Sequence, residues 1–217
     1  MSLLNPKDFI ITRKRKKYKF AKFANSPLCF ELEDWEKSKV DVVEVGAGTG
    51  LFSVDLASRY PEKQFVAVDV KGDRLQTGAY EAEERGVTNL RFVRARADQL
   101  GDMIASHSVE QVWVTFPDPF PKKRSAGRRL THPTFLYTYT KMLKADGALY
   151  LKHDSKEFFS WSLEQLVACG WHIDELSFDL HESNLSDDYK VLTTYETRWL
   201  GEGLVTHFVK ARPPRFS

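Results

Sequence analysis

The chain has 217 residues, of which 42% are hydrophobic and 29% charged, and its formal net charge at pH 7 is +2. This length and composition fit one folded domain with a sizeable core, and they exclude wholesale disorder. No apolar stretch approaches the roughly 18 residues that a membrane-spanning helix needs, and the two cysteines form no Cys-x-x-Cys or Cys/His cluster. We therefore expect a cytoplasmic protein with reduced thiols, no membrane contact and no bound metal.

Positive charge is concentrated in two segments of the chain. Residues 12–22 include seven basic residues and no acid, and residues 122–129 include five more. The other 20 basic residues are outnumbered by 30 acidic ones, so the remainder of the chain is acidic. One basic run alone is typical of a solvated face or a flexible tail. Two runs interleaved with aromatic residues favour a nucleic acid as partner, because phosphates bind clustered Lys and Arg and aromatic rings stack on bases.

Hydrophobic patterning predicts that strands and helices alternate along most of the chain. Residues 1–25 form a basic arm that is too polar to fold alone and is expected to be flexible, and residues 26–217 form a single domain. The predicted strands cover 40–45, 65–69, 90–95, 109–116, 148–153, 171–180 and 204–210. The predicted helices cover 51–59, 71–85, 98–105, 133–144 and 155–169. This order predicts an α/β fold with a doubly wound, mostly parallel, seven-stranded Rossmann-like sheet.

The turn after the first predicted strand is rich in glycine. Glycines alternate with other residues over 46–50, so the backbone can approach a ligand closely, and Asp69 ends the next strand, where it can accept hydrogen bonds from ribose hydroxyls. A dehydrogenase fingerprint would need a third glycine at position 51, which is Leu51. The turn resembles instead the cofactor motif of class I S-adenosylmethionine (AdoMet)-dependent methyltransferases, as Glu44-x-Gly46-x-Gly48-x-Gly50.

A second informative stretch follows the fourth predicted strand. Residues 115–124 read T-F-P-D-P-F-P-K-K-R, and two arginines follow at 128 and 129. The prolines restrict the backbone and would hold Asp118 stiffly at the edge where open α/β sheets bind their ligands. A proline-rich surface loop without function is the alternative. The stretch is similar to the F-x-D-P-W-P-K-K-R-H-x-x-R-R signature of the tRNA (guanine-N7-)-methyltransferases.

Three later stretches are also similar to motifs of that family. Residues 151–154 resemble its K-T-D-N strand end, residues 179–185 its D-L-H-x-S motif, and residues 193–196 its T-x-Y-E motif. The resemblance implies an enzyme that methylates N7 of a guanine in the variable loop of tRNA, with S-adenosyl-L-homocysteine as the second product. The chain departs from the family pattern at Ser125, Phe120 and Arg96, where the family has His, Trp, and Asp or Asn.

The glycine turn and the resemblance together give the candidate site residues. The candidate cofactor-binding residues are Glu44, Gly46, Gly48, Gly50, Asp69, Arg96, Ala97, Asp98 and Asp118. The candidate tRNA-binding residues are Arg13, Arg15, Lys122, Arg124, Arg128, Asp154, Thr193 and Glu196. The whole second basic run, including Lys123 and Arg129, is expected to border the cleft and hold phosphates.

Guanine N7 requires little acid–base chemistry from an enzyme. N7 presents an in-plane lone pair, so its methylation needs neither a general base nor a covalent nucleophile. The enzyme must hold the methyl carbon and N7 in line at roughly 3 Å and favour a purine that gains positive charge. Asp118 is the candidate catalytic residue for this electrostatic task.

The other edge of guanine offers N1–H and 2-amino donors, which carboxylates accept well. Asp154 and Glu196 are the hypothesised acceptors, assisted by Thr193. Each has a structural alternative, in which Asp154 and Ser155 cap the next helix and Glu196 pairs with Arg198 on the surface. His153 has no expected catalytic role.

Other functions stay open at this point. An AdoMet-dependent methyltransferase acting on another RNA, a protein or a small molecule would explain Glu44 and Asp69 but leaves the basic runs unexplained. A dehydrogenase is disfavoured by Leu51, and a non-catalytic RNA-binding protein by the retained cofactor motif. The sequence is compatible with a monomer or a homodimer.

Overall fold

A computed structural model describes residues 3–11 and 13–214 of the chain, except for the side chains of Lys14, Arg198 and Trp199. The strands are β1 (Cys29–Glu31), β2 (Val42–Val45), β3 (Phe65–Asp69), β4 (Leu90–Arg94), β5 (Val109–Thr115), β6 (Leu143–His153), β7 (His172–Ser177) and β8 (His207–Arg212). The α-helices are α1 (Lys14–Asn25), α2 (Leu51–Arg59), α3 (Gly72–Glu84), α4 (Leu100–Met103), α5 (Pro133–Met142), α6 (Lys156–Ala168) and α7 (Thr194–Leu200). Four 3₁₀ turns cover Pro6–Asp8, Leu32–Asp34, Ala97–Gln99 and Lys123–Arg128.

All eight strands belong to one sheet in the order β1-β4-β3-β2-β5-β6-β8-β7. Neighbouring strands from β1 to β6 are parallel, and β8 runs antiparallel to both β6 and β7. The chain winds outward from β2 in one direction and from β5 in the other, so the winding reverses between these two strands. The carboxyl edge at such a reversal is where open α/β sheets bind ligands.

The predicted doubly wound, mostly parallel sheet is confirmed, but the predicted count of seven strands was wrong. The eighth strand is β1, which pairs with β4 and has only three residues. A strand of this length is too short for hydrophobic periodicity to reveal. The predicted helix over 98–105 is a 3₁₀ turn followed by the four-residue α4.

Hydrophobic residues cover both faces of the sheet. Alternate residues of a strand point to opposite faces, and accordingly Val43 belongs to one buried cluster and Val42 to the other. The first cluster includes residues of α5 and α6, and the second includes residues of α2 and α3. Burial on both faces explains why β2 is a continuous apolar run around Glu44.

The N-terminal arm contains a helix, in contrast with the expectation of a flexible segment. Helix α1 contacts α3, and its residues Ala21 and Phe23 are buried. The high density of Lys and Arg in 12–22 obscured this apolar face in the sequence. Thr12 lies outside the described residues. That the arm engages RNA stays a prediction.

Candidate active site

The glycine turn lies between β2 and α2 at the carboxyl edge of the sheet. Gly46, Gly48 and Gly50 have φ angles of 75°, 58° and 73°, in the left-handed region that favours glycine. A Cβ on Gly50 would lie 2.5 Å from a ring carbon of Phe92, whereas a Cβ on Gly48 would meet nothing within 4 Å. Gly50 therefore packs against the core, and Gly48 borders open space where a ligand can approach the backbone.

Asp69, the last residue of β3, fixes this turn. Its Oδ2 accepts a hydrogen bond from the Gly48 N–H at 2.9 Å, and its Oδ1 accepts one from the Lys71 N–H at 2.8 Å. Each carboxylate oxygen can accept a second hydrogen bond, and Asp69 is partly exposed. The acid therefore holds the turn and keeps acceptor positions for a ligand; that it accepts from ribose hydroxyls stays a prediction.

Sequence reasoning missed the contribution of Gly78 in α3. Its N–H donates to the carbonyl of Thr49 at 2.9 Å, and a Cβ on Gly78 would lie 2.5 Å from that oxygen. The absence of a side chain thus lets α3 support the glycine turn directly. A glycine inside a helical pattern was the available signal.

Glu44, a candidate cofactor-binding residue from the sequence, is almost fully buried. Its Oε2 accepts from the Ser53 hydroxyl at 2.6 Å and its Oε1 from the Thr115 hydroxyl at 2.7 Å. Burial raises the pKa of Glu44 to about 7, although both hydrogen bonds act to lower it. The acid therefore changes its charge near neutral pH. Ser53 and Thr115 lie on α2 and β5, and no local pattern marked them.

The turn after β4 carries the departure from the family pattern at Arg96. The guanidinium binds the Asp98 carboxylate twice, with Nε–Oδ1 at 2.9 Å and Nη2–Oδ2 at 2.6 Å. This contact lowers the pKa of Asp98 and keeps the acid ionised. The two charges neutralise each other at the surface, and Ala97 between them packs against the core. Cofactor contacts from these three residues stay a prediction.

The loop after β5 carries Asp118 at the surface and is held from both sides. Phe116 and Phe120 have φ angles of 46° and 40°, which are strained for residues other than glycine. His153 Nε2 lies 3.0 Å from the carbonyl of Pro117. Arg129 donates to the Pro119 and Phe120 carbonyls, each at 3.0 Å. The expected stiffness of the loop thus comes from hydrogen bonds as well as from proline.

The expectation that Arg129 holds phosphates is therefore wrong, because its guanidinium is already bound to the loop carbonyls. Its side chain is buried, and its guanidinium lies 4.3 Å from the ring centroid of Trp161. The remaining cations of the second basic run are exposed, and none of them forms an ion pair with a described residue. They are Lys122, Lys123, Arg124 and Arg128. Arg128 lies over the ring of Phe120 at 4.2 Å, which keeps this positive charge next to the Asp118 loop.

Asp154 follows β6 at the same edge and remains accessible. Its Oδ2 accepts from the Tyr195 hydroxyl at 3.3 Å, and its Oδ1 lies 3.1 Å from His153 Nδ1. The contact with His153 lowers the pKa of Asp154. Ser155, not Asp154, caps α6, because the Ser155 hydroxyl accepts from the Phe158 N–H. Asp154 is thus a partly exposed anion at this edge, and its contact with a base stays a prediction.

Glu196 does not lie on the surface, and both of its oxygens are occupied. Oε2 accepts from Lys152 Nζ at 2.7 Å and from the Thr193 N–H at 3.1 Å. Oε1 lies 2.8 Å from His181 Nε2 and accepts from the Thr206 hydroxyl at 3.1 Å. A carboxylate offers about four acceptor positions, so none remains for a guanine in this arrangement. The expectation that Glu196 accepts from the base therefore fails, as does the surface pair with Arg198, whose side chain lies outside the described residues.

Lys152 and Glu196 form a fully buried ion pair, with side chains 0% and 1% exposed. Lys152 also donates to the carbonyl of Val191 at 2.9 Å. Burial lowers the pKa of Lys152, and the Glu196 carboxylate opposes this effect. The pair and His181 bring together all three downstream motifs, of which the first is separated from the second by 24 residues of sequence.

Helix α7 also contacts the glycine turn. Thr49 Oγ1 lies 3.2 Å from Thr194 Oγ1, and the ring centroids of Phe116 and Tyr195 are 5.3 Å apart. Thr193 is buried, and its hydroxyl accepts from the Glu196 N–H at 3.0 Å. The structure therefore brings the predicted cofactor turn, the Asp118 loop and the T-x-Y-E segment together at the carboxyl edge of the sheet, and we refer to this region as the cleft.

Two classes of site are absent from the described part of the chain. Within residues 3–11 and 13–214, no group of three or more His, Cys, Asp or Glu side chains is arranged to hold a metal ion. A search of the same residues finds no helix long and apolar enough to cross a membrane.

Comparison with known proteins gives consistent matches. Residues 38–208 match a family model described as "Putative methyltransferase". The tRNA (guanine-N(7)-)-methyltransferase of Brevibacillus brevis is 38% identical over 169 residues, which cover 78% of this chain and 78% of that protein. The enzyme of the same name from Bacteroides fragilis is 34% identical over 221 residues, covering 93% of this chain and 87% of that protein.

Solved structures show the same fold at low sequence identity. The 16S rRNA methyltransferase KamB has a TM-score of 0.61 and 14% identity, with 84% of this chain and 90% of that chain covered. A SAM-dependent methyltransferase from Aquifex aeolicus has a TM-score of 0.55 and 14% identity, with coverage of 81% and 82%. These likenesses support the methyltransferase-type sheet.

The buried ion pair gives a prediction about stability. Lys152→Met should lower the free energy of unfolding by about 3–5 kcal/mol, because it leaves Glu196 desolvated without its main counter-charge. The double variant Lys152→Met/Glu196→Gln should lose less than the sum of the two single variants, since neither buried charge is left alone. Urea unfolding measures these differences.

Lys210→Met provides the matched control. Lys210 on β8 forms a partly exposed ion pair with Glu175 on β7, so loss of this pair should lower the free energy of unfolding by less than about 1 kcal/mol. Two outcomes would contradict a stabilising role for the buried pair. One is additive losses of unfolding free energy for Lys152 and Glu196, and the other is equal losses for Lys152 and Lys210.

Proposed function

This chain belongs to the tRNA (guanine-N(7)-)-methyltransferase family, and on that premise we propose that it transfers a methyl group from AdoMet to N7 of a guanine in the variable loop of tRNA. The observation that carries the proposal is a contact between the predicted cofactor-binding segment and the predicted base-binding segment. The glycine turn touches the T-x-Y-E helix through Thr49 and Thr194. A methyl donor held at the turn and a base held beside α7 would therefore be neighbours.

The cleft has features that suit AdoMet. The open space beside Gly48 gives room for a ligand against the backbone, and Asp69 has acceptor capacity for ribose hydroxyls. Glu44 lies beneath the turn and, when ionised, favours a cationic amino group. AdoMet supplies a methyl group on a positively charged sulfur, which the lone pair of N7 can attack without prior loss of a proton. The residues of the chain accordingly need no proton transfer; they bind and orient the reactants and stabilise the charge that develops on the purine.

Asp118 supports the reaction electrostatically in this proposal. It is exposed at the cleft on a loop that Arg129 and His153 hold in place. A purine alkylated at N7 gains positive charge, and a fixed carboxylate stabilises that charge most when it does not have to reorganise. The strained angles at Phe116 and Phe120 belong to the same fixed loop.

Asp154, rather than Glu196, is the proposed acceptor for the far edge of guanine. Asp154 is partly exposed, ionised and positioned by Tyr195 and His153. It can accept from N1–H and the 2-amino group together, a pair that adenine does not offer. Glu196 acts indirectly, because its bonds to the Thr193 N–H and to Lys152 fix the loop beside the base.

The exposed cations account for binding of the polynucleotide. Lys122, Arg124 and Arg128 are exposed in the segment that follows Asp118 and suit the phosphates of the target nucleotide. Arg13 and Arg15 lie at the N-terminal arm, on the far side of the glycine turn. A substrate as large as tRNA can reach both regions at once, whereas a small molecule cannot. A cytoplasmic location, where tRNA is abundant, stays a prediction.

Incubation of the protein with AdoMet labelled in the methyl group and a tRNA transcript tests the function. Nucleoside analysis should yield 7-methylguanosine at one position in the variable loop. A matched transcript with 7-deazaguanosine at that position should accept no label, because it lacks the N7 lone pair. Label in another nucleoside, or equal labelling of both transcripts, would refute the proposal.

Asp118→Asn should lower kcat by about 10²–10³-fold, since the neutral amide cannot stabilise the developing positive charge. Affinity for AdoMet and the thermal unfolding temperature should stay near those of the wild type. Asp146→Asn is the control, because Asp146 is exposed at the amino-terminal part of β6, away from the cleft. Near-normal turnover by Asp118→Asn would eliminate its assigned role.

The raised pKa of Glu44 predicts a pH dependence of AdoMet binding. Below about pH 7 Glu44 becomes protonated, so the wild type should lose affinity as pH falls from 8 to 6, by at most about tenfold per pH unit. Glu44→Gln should bind weakly across this range with a flatter profile, because the amide does not titrate. Isothermal titration calorimetry gives both profiles, and parallel profiles would exclude Glu44 as the titrating group.

A further inference from the structure

A groove lies between the N-terminal segment and the ends of two strands, outside the active-site cleft. Its volume is about 630 Å³. Apolar and aromatic side chains form one part of its wall and cations the other, with Phe9, Ile10 and Phe20 in the first set and Arg13, Lys16 and Arg94 in the second. We call this feature the N-terminal groove.

The position of the N-terminal groove separates it from the reaction. Arg94 is the last residue of β4 and pairs in register with Asp69 on β3, so the groove shares the carboxyl edge with the active site. The Asp118 loop follows β5, three strand spacings from β4 in the order β4-β3-β2-β5. At about 4.8 Å per spacing this is roughly 14 Å across the sheet. A ligand in the groove is therefore not the target base.

The groove is positively charged and carries a stacked cation. Arg94 Nη1 lies 3.0 Å from Glu31 Oε1, and its guanidinium lies 5.2 Å from the ring centroid of Phe20. Lys16 Nζ lies 5.7 Å from the same ring. Glu31 is the acid of the groove wall and is already paired, so the charges of Arg13 and Lys16 remain for a ligand.

Helix geometry directs these residues to one face of the N-terminal helix. Arg13 caps α1, and Lys16 and Phe20 follow at spacings of three and seven residues, which places all three on the same side. Arg15 and Lys22 lie on the opposite side of the helix, and Lys22 Nζ sits over the ring of Tyr80 at 5.3 Å. The basic run thus divides into cations that line the groove and cations that do not.

A nucleotide fits this combination better than other anions. The Arg94 guanidinium already lies over the Phe20 ring, so a base can extend this stack, and the nearby cations suit its phosphates. An acidic peptide would use the cations but not the stacked pair. Ile10 is fully exposed at the rim, and contact with a base would cover it.

We propose that the N-terminal groove binds an unpaired nucleotide of the RNA substrate outside the target guanine, with the base against Phe20 and Arg94 and the phosphates at Arg13 and Lys16. The proposal rests on the proposed function for the identity of the polynucleotide. A second contact about 14 Å from the reaction orients the RNA relative to the sheet, and a single contact at the target nucleotide would leave it free to rotate.

Two double variants with the same change in charge test the cationic part. Arg13→Gln/Lys16→Gln should weaken tRNA binding about tenfold and reduce its salt dependence, whereas Lys19→Gln/Lys22→Gln, at two cations of the same run that do not line the groove, should weaken it less than about threefold. Fluorescence anisotropy with labelled tRNA at several salt concentrations measures both. Equal weakening by the two double variants would overturn the assignment of a binding site to the groove, because it would show that tRNA is attracted to the whole basic run.

Two single variants test the stacking part. Phe20→Leu keeps an apolar side chain but removes the ring, and it should weaken tRNA binding about 5- to 20-fold, while Phe20→Tyr should bind like the wild type. Affinity for AdoMet and thermal unfolding should be unchanged in both, which separates loss of stacking from loss of the fold. If Phe20→Leu binds tRNA as well as Phe20→Tyr does, the assignment of a base to this ring is wrong.

The two proposals fail in different ways. Absence of 7-methylguanosine from reactions of the wild type would refute the proposed function. If the wild type forms that product but substitutions of Arg13, Lys16 and Phe20 leave the affinity for tRNA unchanged, only the proposal for the groove is overturned. If poly-glutamate displaces tRNA from the wild type but not from Arg13→Gln/Lys16→Gln, the groove is a site for an acidic peptide and the nucleotide assignment is overturned.

Discussion

The arrangement of the site depends on the ion pair between Lys152 and Glu196. Removing both charges from water costs several kcal/mol for each, and the structure offsets this cost with hydrogen bonds from His181, Thr206 and the Thr193 backbone. The pair thereby joins β6, α7 and the segment before β8 at one point. Because α7 touches the glycine turn, the position of the proposed base site relative to the cofactor turn is set by a buried electrostatic contact.

The loop that carries Asp118 is also fixed by buried polar contacts. Its exposed acid is held by groups that are themselves buried, with Arg129 bound to two loop carbonyls and His153 close to a third. A loop fixed in this way keeps its charge in one place, which is what stabilisation of a developing positive charge requires. Neighbouring residues of one basic run thus divide between internal support and an exposed cationic surface, the part to which phosphate binding is assigned in the proposed function.

The N-terminal helix α1 both attaches to the domain and forms part of the groove wall. Ala21 and Phe23 are buried and attach α1 to the domain, while Lys16 and Phe20 line the N-terminal groove. Lys16, Phe20 and Phe23 follow one another at spacings of four and three residues, so the groove residues lie on the side of α1 that Phe23 attaches to the domain, and the attachment fixes their orientation. The basic arm is therefore part of the surface that a polynucleotide would meet.

The sequence by itself determined the features that arise from local backbone preference. The alternation of apolar runs and amphipathic segments gave the doubly wound sheet, and the glycines over 46–50, Asp69 and the prolines around Asp118 gave the edge at which the site lies. These are properties of a few consecutive residues. Only the tertiary structure decided that Glu44 is buried, that Glu196 is enclosed by Lys152 and His181, and that β1 joins the sheet. The reason is that burial and pairing depend on which distant segments the fold brings together, and the charge of a side chain does not reveal whether water or another residue surrounds it.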